Sequence, residues 1–275
     1  MLSIIISSYQ PDYFQALEKN IAETIGIEYE IIKVDNPGVM GICEAYNNGA
    51  SKARYDNLLF LHEDVLFQTR NWGIHLSQFI EQNNVGCVGV AGSNYVPNVP
   101  HKWWKNLGYH FNNVLHLSEN KKIRAKDFTA QYQKVYSLDG VFIACTKEVY
   151  DRFLFSKELK SYHGYDIDFS LRISDKYQNY LINDLDIIHF SGGNANKEWF
   201  KEIIKTRRFY KIPKHQKIDK TIEVLQYRLF AENVYKYCDS KREAILLLIK
   251  YFSVKKMGLE NMQLCLKFCS YIMQK

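Results

Sequence analysis

Residues 58–67 read LLFLHEDVLF, an apolar run that is interrupted by three polar residues. The four apolar residues 58–61 are typical of a strand that is buried on both faces. The run stops at His62, Glu63 and Asp64 before apolar residues resume. Because unpaired buried charge is costly, these groups require compensation by an arginine or lysine, a hydrogen-bond network or a metal ion.

Composition and length are those of a globular protein with one large domain, or with a domain and a small appendage. The chain has 275 residues, of which 47% are hydrophobic and 24% charged. Its start lacks the basic segment of a secretory signal, and no run approaches the roughly 18 apolar residues of a membrane span. We therefore expect a cytoplasmic protein with reduced cysteines, which form neither a C-x-x-C pair nor zinc spacing.

The positive charge is concentrated in the last part of the chain. From Lys197 onward there are 18 Lys and Arg against 8 Asp and Glu, whereas residues 1–196 carry 18 against 22. This shift predicts a main domain over 1–196 and a basic helical region over 197–275. Basic amphipathic helices bind anionic membranes, so peripheral contact with the inner face of the plasma membrane is one expectation. The alternative is that these helices pack on the domain with lysines facing water. No nucleic-acid recognition motif is present, and we expect no such partner.

The beginning of the chain predicts a β-α-β-α-β arrangement. Apolar strand patterns at 3–9, 29–38 and 58–64 alternate with helical patterns at 11–26 and 41–53. This order is typical of a parallel sheet with helices on both faces, in which ligands bind at the carboxyl ends of the strands. The polar residues at these three ends are Ser7, Ser8, Tyr9, Asp35, Asn36, His62, Glu63 and Asp64.

Later segments extend the pattern into a recognisable order. They are S-S-Y, V-D-N, A-Y-N-N-G-A, F-L-H-E-D-V, L-D-G-V-F-I-A, G-Y-D-I-D-F-S-L-R and H-F-S-G-G. Over roughly residues 1 to 195 the chain resembles the GT-A glycosyltransferases of family 2. The greatest similarity is to the branch of the streptomycin-biosynthesis StrF protein, which has H-x-D where others have D-x-D. The resemblance implies a GT-A fold, a Rossmann-like α/β architecture with a mixed sheet and helices on both faces, followed here by the helical C-terminal region.

The same resemblance implies an inverting glycosyltransferase. Such an enzyme moves a sugar from a UDP-, GDP- or dTDP-sugar donor to a hydroxyl of a saccharide or lipid-linked acceptor, with Mn²⁺ or Mg²⁺ bound. The expected setting is bacterial polysaccharide or glycoconjugate synthesis. The alternative is a non-catalytic protein that binds nucleotide sugars or carbohydrates, because His62 and Tyr165 depart from the family pattern.

The metal residues implied by the resemblance are Asp64 and His189. A histidine ligand favours Mn²⁺ over Mg²⁺. His62 stands where relatives more often carry Asp, at a position that helps to hold ribose or metal. Taken without the resemblance, this segment favours a structural role, in which Glu63 and Asp64 cap the following turn and His62 is a satisfied core imidazole.

The resemblance also assigns the donor site and the base. Asp166 matches the carboxylate that deprotonates the acceptor hydroxyl, and its alternative role is a helix N-cap. Asp168 has the spacing of an ion pair with Arg172, so we expect it to be structural. Trp103 and Trp104 could stack on sugars or anchor a loop. Asp35 would read the base of the donor or, alternatively, serve only the turn. Arg54 would contact the base or the phosphates or, alternatively, be a surface charge. The expected donor-contacting residues are Ser7, Ser8, Tyr9, Asp35, Asn36, Arg54, His62, Glu63, Asp139 and Gly140.

Overall fold

The computed structural model describes residues 1–100, 105–118, 121–126, 128–191 and 195–274, with 118 and 121–126 described by their backbone. Trp103 and Trp104 lie outside these residues, so their two alternative roles stay predictions.

The strands are β1 (Leu2–Ser8), β2 (Tyr29–Asp35), β3 (Asn57–Leu61), β4 (Val65–Phe67), β5 (Val85–Gly89), β6 (Ala91–Ser93), β7 (His110–Ser118), β8 (Lys121–Lys126), β9 (Tyr132–Val135), β10 (Ser137–Leu138), β11 (Phe142–Thr146), β12 (Gln178–Ile182) and β13 (Ile187–His189). The helices are α1 (Pro11–Thr24), α2 (Ile42–Ala50), α3 (Trp72–Ile80), α4 (Lys147–Phe153), α5 (Tyr165–Ser174), α6 (Lys197–Thr206), α7 (Lys220–Tyr237), α8 (Lys241–Tyr251), α9 (Val254–Met257) and α10 (Met262–Gln274).

The predicted β-α-β-α-β opening is confirmed. β1 lies between β2 and β3 and is parallel to both, with Ser8 paired to Asp35 and Ile6 to Leu61. This register brings the polar ends of the three strands to one edge of the sheet. Every residue of β3 is buried, as its uninterrupted apolar sequence requires.

The main sheet is mixed, in the order β2-β1-β3-β11-β5-β12-β9. β11 runs antiparallel between β3 and β5, and β12 is parallel to β5. One hydrophobic core, with α1 and α3, covers one face of this sheet, and a second, with α2, α4 and α5, covers the other. The predicted mixed sheet with helices on both faces is therefore present.

A second sheet brings later parts of the chain next to the segment that follows β3. It has the order β10-β6-β7-β13-β4, with β8 paired to β7. β13 is antiparallel to β4 and parallel to β7, so that His189 pairs with Val65 on one side and with His116 on the other. Strands β7 to β9 and strand β12 were not predicted from sequence. β7, HFNNVLHLS, mixes polar and apolar residues without strict alternation.

The C-terminal helices build a hydrophobic cluster of their own. Trp199, Phe200 and Ile203 of α6 are buried in it together with residues of α7, α8 and α10. The apolar face of α6, which the sequence offers as a membrane contact, is thus internal, because α7 covers it. Among the described helices, none is both long and apolar enough to cross a membrane.

A buried carboxylate joins these helices to the main domain. Glu223 of α7 is 1% exposed and accepts hydrogen bonds from the Tyr95 hydroxyl at 2.9 Å and the Asn98 backbone N–H at 3.0 Å. Its carboxylate also lies 3.8 Å from the Lys256 ammonium. Three groups from outside α7 therefore depend on one side chain. The predicted boundary near residue 196 stays a prediction, and the junction beyond it is polar and well connected.

We expect Glu223→Ala to lower the free energy of unfolding by about 3 kcal/mol, because it leaves buried donors and a partly buried ammonium without their acceptor. Urea denaturation followed by circular dichroism measures this loss. Glu18→Ala, at an exposed position of α1, is the control and should change stability by less than about 0.5 kcal/mol. Equal effects of the two substitutions would contradict a junction role for Glu223.

Candidate functional site

The charge of Glu63, at the end of β3, is compensated by a hydrogen-bond network within the fold. Its side chain is buried, and its carboxylate accepts from the backbone N–H groups of Tyr9 and Gln10 at 3.1–3.2 Å. Gln10 is the N-cap residue of α1, which has no side-chain cap of its own. A carboxylate at a helix N-terminus is stabilised by the free N–H groups there. Glu63 thus fixes the turn after β1 against the end of β3.

His62, Asp64 and His189 form a compact group beside this turn. The His189 Nε2 atom lies 3.3 Å from Asp64 Oδ1, and the His62 Nδ1 atom lies 3.9 Å from the same oxygen. One ligand atom from each of the three residues falls within 4.8 Å of the others. The pairing of β13 with β4 produces this arrangement, since it places His189 directly beside the strand that follows Asp64.

The donor chemistry of this group fits a divalent transition metal. Both ring nitrogens of His189 are buried, and neither makes a hydrogen bond of normal geometry despite the 3.3 Å distance from Nε2 to Asp64, although a buried polar atom normally has a partner. Burial, and then the charge of His189, lower the pKa of His62, which favours the neutral imidazole that a metal needs. Burial alone would raise the pKa of Asp64, but His189 and His62 outweigh it and lower that pKa. Two imidazoles and one carboxylate suit Mn²⁺ better than Mg²⁺.

Tyr165 orients His62 in this group. The Tyr165 hydroxyl donates to the carbonyl oxygen of Gly140 at 3.1 Å and lies 2.9 Å from His62 Nε2. Because that hydroxyl has a single proton, we assign the second bond to donation from the Nε2–H of His62. The lone pair of a neutral His62 is then on Nδ1, the atom that faces Asp64. A hydrogen-bonded second nitrogen is the usual support of a histidine metal ligand.

Gly140 gives Tyr165 the space that this contact needs. A Cβ atom at Gly140 would lie 2.1 Å from the Tyr165 hydroxyl oxygen. Any side chain there would displace the tyrosine or the turn. The two departures from the family pattern, His62 and Tyr165, therefore touch each other and are accommodated by the glycine of the L-D-G-V-F segment.

Asp166 lies at the start of α5, next to the same glycine. Its carboxylate accepts from the Gly140 backbone N–H at 3.2 Å, and the helix N-cap is Gly164 rather than Asp166. Burial, and secondly the charge of Asp139, raise the pKa of Asp166 to about 7. A carboxylate with such a pKa can exchange a proton near neutral pH.

Asp168 behaves as the sequence predicts. It is fully buried, and its carboxylate pairs with Arg172 at 2.9 Å. Arg172 also donates to the carbonyl groups of Phe153 and Leu154, so this ion pair ties α5 to the end of α4. Its role is structural.

The strand ends beside this group supply a partly open polar edge. Ser7 accepts a hydrogen bond from the buried amide of Asn36, which also donates to Met40 and Tyr162 and so holds the turn after β2. Tyr9 is 64% exposed, while the neighbouring Ser8 is buried and bonds through its carbonyl oxygen to Asn36.

Asp35 and Asp139 flank this edge in different ways. Asp35 has an exposed carboxylate, 2.8 Å from Lys33. Asp139 accepts from the Val141 backbone N–H at 2.9 Å, which shapes the turn that contains Gly140.

Arg54 is the one predicted donor-contacting residue that the structure does not bring to this edge. Because it precedes β3, it lies at the opposite end of the parallel strands. There it pairs with Glu30 of β2 at 2.7 Å, and Glu30 also accepts from Ser3. We therefore leave Arg54 out of the site.

Two side chains near the site were missed in the sequence. His116 of β7 is the direct partner of His189, with ring centroids 5.4 Å apart and its Nδ1 atom 3.3 Å from the Ser191 carbonyl oxygen. Tyr162 donates to the Met40 carbonyl oxygen and reaches Asn36 across 126 residues. Both contacts depend on residues far apart in the chain, and only its place between Leu115 and Leu117 marks His116 in the sequence.

Comparison with known proteins agrees with this fold. Residues 3–222 match the sequence model of the family described as glycosyltransferase-like. The whole chain is similar to a crystal structure of GalNAc-T7 with UDP, GalNAc and Mn²⁺, at 10% identity and a TM-score of 0.54, and spans 56% of that chain. It is also similar to S. aureus TarS 1–349 in complex with UDP-GlcNAc, at 12% identity and a TM-score of 0.50, over 99% of this chain and 80% of that one. These similarities show the GT-A fold. No curated protein matches the sequence significantly.

We expect Tyr165→Phe to weaken Mn²⁺ binding roughly 10- to 100-fold, because it removes the hydroxyl that orients His62. The electron paramagnetic resonance signal of free Mn²⁺, recorded in a titration with protein, measures this affinity without any turnover. Tyr150→Phe is the matched control. It removes another buried hydroxyl of the same aromatic cluster, one that donates to Asn47. Equal Mn²⁺ affinity in both variants would refute the orienting role of Tyr165.

Proposed function

Because the chain belongs to the glycosyltransferase-like family and has the GT-A fold, we propose that it is a metal-dependent, inverting glycosyltransferase. It would transfer a sugar from a nucleoside-diphosphate sugar to an acceptor hydroxyl. The observation that carries this proposal is the convergence of His62, Asp64 and His189 at the carboxyl edge of the sheet. Asp166 lies at the same edge, on the other side of Tyr165 and Gly140.

His62, Asp64 and His189 would hold the divalent ion, Mn²⁺ in preference to Mg²⁺. When bound, such an ion neutralises the charge that develops on the leaving diphosphate. Glu63 would act indirectly: it holds the backbone of Tyr9 and Gln10 in place instead of offering free oxygens to the donor.

The nucleotide would lie over the ends of β1 and β2. There the exposed ring of Tyr9 can stack on the base, and the Asp35 carboxylate can accept from a uracil imide N–H or a guanine amine. Ser7 and Asn36 would form the floor of this region, because their side chains are bonded to each other. Since GalNAc-T7 and TarS were both crystallised with UDP or a UDP-sugar, we propose a UDP-sugar as the first donor to test, before GDP- and dTDP-sugars.

Asp166 would act as the base that removes the proton of the acceptor hydroxyl. Inversion requires the acceptor to attack from the face opposite the leaving diphosphate, so the base and the metal group must flank the sugar. The turn that contains Asp139 and Gly140 lies between them and would contact both the donor sugar and the acceptor.

The biological setting we propose is bacterial polysaccharide or glycoconjugate synthesis on the cytoplasmic side of the membrane, with a saccharide or lipid-linked acceptor. The StrF-like branch is proposed on the H-x-D segment, His62 to Asp64. The alternative, a protein that binds nucleotide sugars without transferring them, shares the donor site and differs only in turnover.

The first test is donor hydrolysis. Purified protein with Mn²⁺ is expected to release nucleoside diphosphate slowly from one of a panel of UDP-, GDP- and dTDP-sugars, and Asp64→Ala should abolish the release because it removes the only carboxylate of the metal group. A coupled assay for nucleoside diphosphate measures it.

Asp151→Ala, an exposed position of α4, is the control and should keep the activity of the unmodified protein. Donor binding without release or transfer, measured by calorimetry, would favour the binding-protein alternative. Absence of binding by every donor would refute the proposed function itself.

The second test concerns Asp166 and pH. Because the base acts when ionised and its pKa is about 7, we expect kcat/KM for acceptor transfer to rise as pH increases through 7 and to level off above it. Asp166→Asn should lose transfer at every pH while retaining donor binding. The rate of glycosylated product formation from pH 5.5 to 8.5, about 1.5 units on either side of the pKa, measures both effects.

The stability of the same variant is an independent readout. A carboxyl whose pKa is raised by folding destabilises the protein as pH increases from the unfolded value toward the folded one. Asp166→Asn should therefore raise the melting temperature at pH 8 but not at pH 4. A similar rise in Asp175→Asn, at an exposed site, or a flat pH–rate profile would contradict the assignment.

A further inference from the structure

The outer surface of the C-terminal helices carries exposed apolar side chains. Leu246 and Ile249 of α8 are 57% and 58% exposed, and Leu266 and Met273 of α10 are 61% and 60% exposed. Each helix has in addition a buried apolar side, with Leu248 in α8 and residues such as Cys265 in α10. Such helices bury one apolar face inside the protein and present another to the surroundings, which a purely structural bundle does not require.

The exposed apolar residues of the two helices lie next to each other. The Lys241 ammonium, at the start of α8, donates to the carbonyl oxygen of Met273, at the end of α10, at 3.0 Å. Further along, the Cys265 thiol lies 4.0 Å from the Leu248 carbonyl oxygen. The two helices therefore pack side by side in antiparallel directions.

The orientation of α10 follows from the groove that it lines together with α7. Phe268 and Tyr271 line a groove together with Tyr235 of α7. Leu266 and Met273, seven residues apart, are on the flank of α10 away from this groove. That flank is turned toward α8 and toward Ile249. We call the surface formed by Leu246, Ile249, Met262, Leu266 and Met273 the α8–α10 face.

Cations surround the α8–α10 face. Arg242 is four residues before Leu246 and so shares its side of α8, while Lys267 adjoins Leu266. α10 contains neither Asp nor Glu. Glu243 is three residues before Leu246 and is the one acidic residue of α8 and α10 that borders the same side. The exposed basic residues from α8 to α10 are Lys241, Arg242, Lys250, Lys255 and Lys267, and the exposed acidic ones are Glu243 and Glu260.

We infer that the α8–α10 face binds the surface of an anionic lipid bilayer. Aliphatic and thioether side chains would enter the boundary between headgroups and acyl chains, and the cations around them would meet lipid phosphates. A second copy of the chain is a poorer occupant. A symmetric contact through this face would set its mainly basic margin against the same mainly basic margin of the other copy.

This inference rests on the proposed function in one respect. A lipid-linked acceptor would meet the enzyme at the membrane surface that the α8–α10 face binds. The α8–α10 face also replaces the apolar side of α6 as the membrane contact. That side is internal, whereas the α8–α10 face is exposed and cationic at its margin.

The test is co-sedimentation of the full chain with vesicles of phosphatidylcholine, with and without phosphatidylglycerol. We expect binding to the vesicles that contain phosphatidylglycerol, weakened by added salt, and little binding to phosphatidylcholine alone. Leu266→Gln combined with Ile249→Gln should weaken binding about tenfold or more, and so should Arg242→Gln combined with Lys267→Gln.

Matched controls separate this face from general surface properties. Leu107→Gln replaces a leucine of the main domain that is 64% exposed, and Lys19→Gln with Lys52→Gln removes two exposed cations there. Both should leave vesicle binding unchanged.

Failure to bind anionic vesicles, or equal binding by all variants, would overturn the inference. So would a dimer in sedimentation velocity that the Leu266 and Ile249 substitutions dissociate, because it would make a second copy the occupant. The vesicle assay needs no donor turnover, and donor hydrolysis is measured without vesicles. Loss of one result therefore does not imply loss of the other.

Discussion

The site depends on how the charges at the end of the buried strand β3 are compensated. Glu63 is satisfied by two backbone N–H groups at the start of α1 and locks that turn against the strand. Asp64 faces two imidazoles that come from its own segment and from β13. The Glu63 carboxylate therefore has its hydrogen-bond donors within the fold. Beside the Asp64 carboxylate, in contrast, neither nitrogen of the His189 ring makes a hydrogen bond of normal geometry. An incompletely satisfied buried group of this kind requires an explanation, and a bound metal ion is the one that the proposed function supplies.

The two departures from the family pattern compensate each other. Histidine at position 62 needs a partner for its second nitrogen, and tyrosine at 165 provides one at 2.9 Å. The tyrosine in turn requires a glycine at 140, since a Cβ there would overlap its hydroxyl. A site that had decayed after loss of function would not be expected to keep three matched residues from three distant segments. Their complementarity indicates an intact site, which the binding-only alternative would share, so that turnover alone separates the two proposals.

The sequence was sufficient for the β-α-β-α-β part of the fold because its signals are local. The apolar runs of β1 and β3 and the period of α1 predict the parallel core and the edge where the site forms. The sequence could not distinguish Glu63, which caps α1, from Asp64, since neighbouring carboxylates differ only in which element approaches them. Arg54 is a second case. The resemblance implied that it contacts the donor, but the strand topology places it at the opposite edge of the sheet. The position of His116 near the site could not be predicted, because it results from pairing with His189, 73 positions later in the chain.

The C-terminal region shows the limit of amphipathicity as a signal. α6 has the clearest separation of apolar and basic sides, and that apolar side is consumed in packing against α7. α8 and α10 are apolar on more than one side, which by pattern alone is typical of helices buried on all sides. Only the packing shows that one side of each remains at the surface, with the two sides adjacent. A surface for an external partner is therefore distinguished by apolar area that stays exposed when the helices have packed against the core. The basic residues around it determine which partner it fits.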